Sequence, residues 1–328
     1  MPVYIQKELW AQVLLPWDGT GFRLGFQYVY DPTLLFLEKY VGAFTGFYRK
    51  EDTEFRLIAL QIPDTVYEGI EFNENNFQND NFVFAADAVL RPAHGLRIKP
   101  GLYFQWDSTD VDRHKYLWNP CVNVAYDFGS AGFWELDAAL QAGFWEHRSI
   151  NNRQLDLLAG ALQLHGRLQV GTATVEANFL AFSPDDGDPY NGVDSEFQYS
   201  GFSRSRTLLL SQNWILDQYN NLDEKAAEAG AGMFLGDLFT HVPVATGLEV
   251  FGVVGYGMVL ETSYVLGGRT IGTEVDAGLL WEPYHNVQMV FVGGTVLPGR
   301  AGSALQNEIN LSECDPIYYF QAALAVRF

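Results

Sequence analysis

Apolar and polar residues alternate along most of this chain. Between positions 317 and 328, Tyr318, Phe320, Ala322, Leu324, Val326 and Phe328 form one set, and Tyr319, Gln321, Ala323, Ala325 and Arg327 the other. Successive side chains of a strand point to opposite faces, so this stretch predicts a strand with one apolar face and one small or polar face. The same alternation recurs over 3–15, 22–30, 41–49, 55–62, 82–91, 96–106, 116–128, 133–147, 154–164, 168–182, 229–241, 247–261, 271–282 and 286–297, which with 317–328 makes about fifteen strands.

Turn residues punctuate the runs. Pro16 to Gly19, Asp31 and Pro32, Lys50 to Asp52, Pro92 to Gly95, Gly129 to Gly132 and His165 to Arg167 end one strand and begin the next. The Asn-rich stretch 63–81 reads as a long loop. Over 183–228 the alternation fails, with a more helical spacing at 208–222, and this reads as one long external loop. Short turns fall at one end of the strands and long loops at the other. An all-β fold follows, a single-domain transmembrane antiparallel β-barrel. Such barrels carry an even number of strands in bacterial single chains, so the odd count predicts sixteen or eighteen in the complete protein. The extra strand lies either in a further amino-terminal segment or within 200–210. A soluble all-β binding protein is the competing reading, and it requires Phe22, Phe26, Trp134 and Phe144 to lie buried in a core.

Composition supports the membrane reading in an indirect way. No window holds the ~20 consecutive apolar residues of a membrane-spanning helix, and the mean hydropathy is close to zero, as alternation produces. Aromatics make up 15% of the chain, and most tryptophans sit within or at the ends of strands, where they anchor at a membrane interface. A formal charge of −20, from 40 acidic against 20 basic residues, excludes a nucleic-acid partner. Cys121 and Cys314 lie far apart without metal spacing, and no histidine pair suits zinc. Asp185, Asp186 and Asp188 around Gly187 lack the later glutamate of a calcium loop. No Gly-x-Ser-x-Gly elbow is present, so neither a cofactor nor an enzymatic role is expected. No secretory leader pattern opens the chain, which implies a mature or trimmed exported protein. Small residues at Gly252, Gly255 and Gly257 permit a close contact.

Two longer motifs carry a family resemblance. The run 271–287, from Ile271 through Glu274, Asp276, Trp281, Pro283 and Tyr284 to Val287 and on to Leu297, Pro298 and Gly299, resembles the penultimate hairpin of the alginate-export family of outer-membrane barrels. Residues 177–188, from Ala177 and Asn178 to Asp188, resemble the strand and acidic loop that precede a long insertion in that family. The resemblance covers the carboxy-terminal half and implies a large monomeric barrel that passes an acidic polysaccharide or acts as a porin. The terminal phenylalanine on an amphipathic strand resembles the assembly signal of bacterial outer-membrane barrels. That implies the barrel-assembly machinery as a partner, beside membrane lipid, lipopolysaccharide and further envelope proteins.

The polar faces set the candidate site. Alternation places Arg23, Asp87, Arg97, Lys99, Asn123, Asp127, Glu135, Asp137, Glu176, Glu249, Glu274, Asp276 and Arg327 along the lumen. Carboxylates outnumber cations there, which disfavours a uronate polymer and favours small polar or cationic solutes or a saccharide. Pairing of opposite charges across strands, which would plug the lumen, is the alternative. The competing function is a structural barrel that scaffolds an envelope assembly through its loops.

Overall fold

The computed structural model describes residues 8–17, 19–62, 81–110, 113–147, 153–185, 193–199, 204–207, 210, 222–265, 267–307 and 315–326. Their strands are β1 (Leu9–Leu14), β2 (Thr20–Tyr30), β3 (Glu38–Lys50), β4 (Thr53–Ile62), β5 (Asn81–Ala93), β6 (Leu96–Asp110), β7 (Arg113–Asp127), β8 (Gly132–His147), β9 (Arg153–Val170) and β10 (Ala173–Phe182). The short β11 (Val193–Asp194) and helix α1 (Leu222–Glu228) follow. Then come β12 (Met233–Ala245), β13 (Leu248–Val259), β14 (Thr270–Tyr284), β15 (Val287–Pro298), helix α2 (Arg300–Asn307) and β16 (Ile317–Val326). Fifteen strands follow one another antiparallel in chain order, and β11 lies off this path, parallel to β9. No helix among the described residues is long and apolar enough to cross a membrane.

The contacts group the chain into two compact units. The first holds Met1–Val124, Asp137–Gly160 and Pro189–Ser195; the second holds Ala125–Leu136, Ala161–Asp188 and Glu196–Phe328.

In the first unit the strands after β1, which is exposed throughout, have a bare apolar face and a covered face. Leu24, Phe26, Phe44, Phe55, Leu57, Phe84, Leu102 and Leu140 stand exposed, whereas Gln27, Asp87, Gln105, Asn119, Asn123, Asp137 and Gln141 are buried beside Val29, Ile58, Leu60 and Leu117. This polarity is the reverse of a water-soluble sandwich. The hairpins turn at Glu51 and Asp52 and at His94 and Gly95, where Gly95 supplies a positive φ of 76°. The connection from β2 to β3 folds back onto the covered face. Leu35 and Leu37 are buried, and the Phe36 ring meets Tyr103 edge-on at 5.2 Å. Asp31 holds this connection by accepting the Thr33 hydroxyl and the N–H groups of Thr33 at 2.8 Å, Phe36 at 3.2 Å and Leu37 at 3.0 Å. Burial pushes the Asp31 carboxyl upward, and these donors hold it down.

The second unit repeats the polarity. Leu162, Leu164, Leu238, Val254, Val275, Trp281, Tyr318, Phe320 and Leu324 are exposed, whereas Glu135, Gln163, His165, Glu176, Asn178, Asp237, Glu274 and Asp276 are buried. Tight turns fall at Gly171 and Thr172, Thr246 and Gly247, and His285 and Asn286. The first of these differs from expectation. His165 to Arg167 lie within β9 in a regular ladder with β10, in which Gly166 opposes Ala177, and the chain reverses at Gly171 with φ 64°. A glycine in an alternating run marks a turn only when the backbone needs positive φ, and Gly166 does not.

The 183–228 stretch packs some of its residues inward. Phe197, Ser205, Thr207, Leu210 and Leu222 are buried within the second unit. Residues 204–207 and 210 form no strand, so they do not supply the extra one expected in 200–210. The amino-terminal part of the 3–15 strand, the 63–80 loop, most of the helical spacing at 208–222 and the terminal Phe328 lie outside the described residues. Phe22, Phe26, Trp134 and Phe144 are not buried, and Phe26 is 42% exposed, which removes the soluble-core reading.

Leu140, in the middle of β8, is 56% exposed. In lipid vesicles Leu140→Arg is expected to lower folding stability by about 2–4 kcal/mol, as a cation facing hydrocarbon does. Chemical unfolding in vesicles checks it, and an unchanged midpoint would mean that this face meets water.

Candidate functional site

Because strand register is unbroken between these positions, polar residues of the second unit line up across neighbouring strands. His165 opposes Asn178, Asn178 opposes Asp237, Asp237 opposes Gly255, and Gly255 opposes Glu274. Two residues along, a second row runs through Arg167, Glu176, Phe239, Val253, Asp276, Gly294 and Tyr319. The buried members of both rows face the same side, since the side-chain period of a strand is two.

The stretch 204–207 and Leu210 lie on these rows. Arg204 pairs with Glu135 at 3.3 Å. The Arg206 guanidinium donates to Glu176 at 3.2 Å through Nε and lies 5.6 Å from the Phe239 ring, while its N–H meets Asp237 at 3.4 Å. Leu210 N–H donates to Glu274 at 2.8 Å. Gly255 makes this approach possible, because a Cβ there would come within 2.2 Å of the Thr207 methyl. Gly257 lies beside Leu210 more loosely, with a Cβ there falling 3.4 Å from the Leu210 side chain. Gly255 and Gly257 therefore receive the chain's own segment, whereas Gly252 lies on the opposite face, so the three do not form one contact patch.

At the far end of the rows, the Tyr319 hydroxyl donates to Glu274 at 2.9 Å and also to Asp276. Gly294 leaves room for this cluster, since a Cβ there would fall 2.6 Å from the Tyr319 oxygen. Asn178 donates to Asp237 at 2.9 Å, and His165 sits 3.7 Å from Glu176.

In the first unit Asp87 takes a two-pronged contact from Arg56, at 2.7 and 2.8 Å, and a third bond from the Tyr103 hydroxyl at 2.6 Å. Asn123 donates to Asp137 at 2.6 Å. Arg97 and Lys99 are half-buried on β6, and Arg23 stacks on Trp10 at 4.1 Å beside Gln12.

The expected lining residues thus separate into groups. Asp87, Asn123, Asp137, Glu135, Glu176, Glu274 and Asp276 are buried on the covered face. Asp127 is not; it is exposed and caps the turn after β7 by accepting the Gly129 N–H at 2.7 Å, because the alternation ends one residue before the chain reverses. Glu249 lies near the Thr246 turn, half-exposed and 3.2 Å from His241. Arg327 falls outside the described residues, as do Asp186 to Asp188; Asp185 accepts the Tyr264 hydroxyl at 2.8 Å.

Sequence reasoning missed Arg56, Tyr319 as a carboxylate partner, Asp237, Arg204 and Arg206. Arg56 and Asp237 occupy alternate positions of their strands, so strand parity could have found them. Arg204 and Arg206 lie where alternation fails, and no periodic signal points to their partners.

An antiparallel sheet with an apolar bare face and charged residues on the covered one is the construction of an outer-membrane β-barrel. A solved structure bears the class out. The chain is similar to OccAB1 of Acinetobacter baumannii, with 10% identity, 93% of this chain and 74% of that one covered, and a TM-score of 0.50. OccK11 (OpdR) of Pseudomonas aeruginosa gives 10% identity, 94% and 78% coverage and a TM-score of 0.48. OccK3 (OpdO) of the same species gives 14%, 85% and 71%, and 0.46. The likeness to OccAB1 shows the fold alone. No family model matches the sequence, and no curated protein matches it. The resemblance to the alginate-export family is overturned: no family model matches, and the structure that shares the fold at a TM-score of 0.50 is an Occ protein. The motif behind it is β14 and β15 joined at His285 and Asn286, a glycine- and aromatic-rich hairpin that any barrel wall can contain.

Arg56→Leu is expected to destabilise the protein by about 3–5 kcal/mol, because Asp87 would be left buried and unpaired. Adding Asp87→Leu should recover most of that loss. A double-mutant cycle by guanidinium unfolding checks it; additive losses would show that the pair is not coupled.

Proposed function

We propose that this chain is a channel of the bacterial outer membrane, passing small polar or cationic solutes, or a saccharide, through a net acidic lumen. Its work is passage rather than catalysis. The observation that carries the reading is the buried set of Glu135, Glu176, Asp237, Glu274 and Asp276 on one face of the second unit, which among the described residues of the segment laid across it meets two cations, Arg204 and Arg206. Ionisable residues are costly on a face turned away from water, and in a membrane protein they mark a path for ions or solutes. A surplus of carboxylates raises the local concentration of cations and repels polyanions. The fold supports the reading, since OccAB1 shares it.

The same reading assigns the surroundings. The bare faces meet lipid, with lipopolysaccharide in the outer leaflet, and the aromatic residues at strand ends sit at the interfaces. The β16 strand, with Tyr318 and Phe320 about three-quarters exposed, is the part the assembly machinery would engage. Envelope proteins are further candidates for the loop end.

Purified protein in a planar bilayer under a potassium chloride gradient is expected to give steady single channels with a cation preference. Glu274→Gln combined with Asp276→Asn should move that preference toward unity while leaving the channel open. Absence of conductance would sink the channel reading in favour of a closed scaffold.

A further inference from the structure

The rows under 204–207 are one-sided in their chemistry. Glu135, Glu176 and Asp237 come from three strands, β8, β10 and β12, and ionised carboxylates only accept hydrogen bonds. The segment answers with guanidinium groups, which only donate. Its contacts are those of a bound dication: Arg204 on Glu135, and Arg206 on Glu176 with the Phe239 ring beneath it.

The wall also offers more than the segment uses. Asn178 is 6% exposed and Asp237 is 7% exposed, yet Asn178 Oδ1 and Asp237 Oδ2 accept nothing among the described residues. Both side chains line a narrow gap together with Arg204 and Ser205. Buried acceptors normally find a donor, so a wall built only to hold the segment has no reason to leave two of them idle.

We propose that the 204–207 stretch is a tethered occupant of a solute site, and that the solutes which compete with it carry two cationic donor groups, a guanidinium paired with an amine or a second guanidinium. This rests on the channel reading and narrows it to a substrate class. The incoming guanidinium takes the Glu176 and Phe239 position, its second cation takes Glu135, and the idle oxygens of Asn178 and Asp237 accept its remaining N–H groups. A tethered competitor acts at an effective concentration on the order of millimolar, so free solute displaces it only weakly while the tether keeps its arginines.

The experiment measures block of single-channel potassium current by agmatine, a guanidinium–amine dication, and by hexamethonium, a dication without N–H donors. In the Arg204→Gln, Arg206→Gln double variant the half-blocking concentration of agmatine is expected to fall about tenfold or more relative to wild type, with hexamethonium little changed. Adding Glu176→Gln to that variant should abolish the gain. Arg206→Lys keeps the charge but loses the planar fork, so it should give a smaller gain and serves if the double variant does not fold. An equal gain for both dications would reduce the effect to net charge and overturn the proposal. Unchanged block with conductance intact would make the segment a purely structural brace, overturning the proposal but leaving the channel. Loss of current already in the wild type would remove the channel reading itself.

Discussion

The constraint on which this structure depends is that a strand wall in hydrocarbon must satisfy its backbone internally while offering lipid only apolar side chains. Neighbour-to-neighbour antiparallel pairing meets the first demand, and strict alternation meets the second. Leu24, Phe26, Leu57, Leu140, Leu238 and Phe320 can all stand exposed because lipid replaces the core that a soluble protein would have to build. The covered face is then released from the usual rule that interiors are apolar.

That release has a cost which the covered face meets locally. A buried carboxylate without donors is strongly unfavourable, so each is met by a nearby group. Asp87 is met by Arg56 and Tyr103, Glu176 by Arg206 and His165, Glu274 by the Leu210 N–H and Tyr319, and Asp31 by the backbone of its own connection. Strand register decides these partners, because a slip of one residue would turn every one of them toward lipid. Glycines at 255 and 294 complete the arrangement by leaving space where a side chain would collide with the inserted segment or with Tyr319.

The same surface also links local structure to passage. Inserted segments lie on both units: Asp31 to Leu37 in the first, and 204–207 with Leu210 in the second. The first is held by backbone donors and apolar packing, with Leu35 and Leu37 buried. The second combines the buried Thr207 and Leu210 with ion pairs from Arg204 and Arg206 to carboxylates of separate strands.

The sequence by itself determined the strands, their faces and the ends at which they turn. Period-two alternation survives any tertiary arrangement, so the strand pattern, the lipid-facing Leu140 and Phe320, and the covered Asp87, Glu135, Glu176, Glu274 and Asp276 were all legible in it. Where position depended on one backbone dihedral, the reading slipped, as at Gly166 against Gly171 and at Asp127. The family resemblance failed for a related reason, since a hairpin of glycines and aromatics records the demands of a membrane wall rather than descent. Only the tertiary structure decided which groups meet. Arg56 reaches Asp87 across 31 positions, Leu210 reaches Glu274 across 64, and Tyr319 reaches Glu274 across 45. Such meetings follow from register summed over many strands and from the path of a segment without periodicity, and neither is written in the local order of residues.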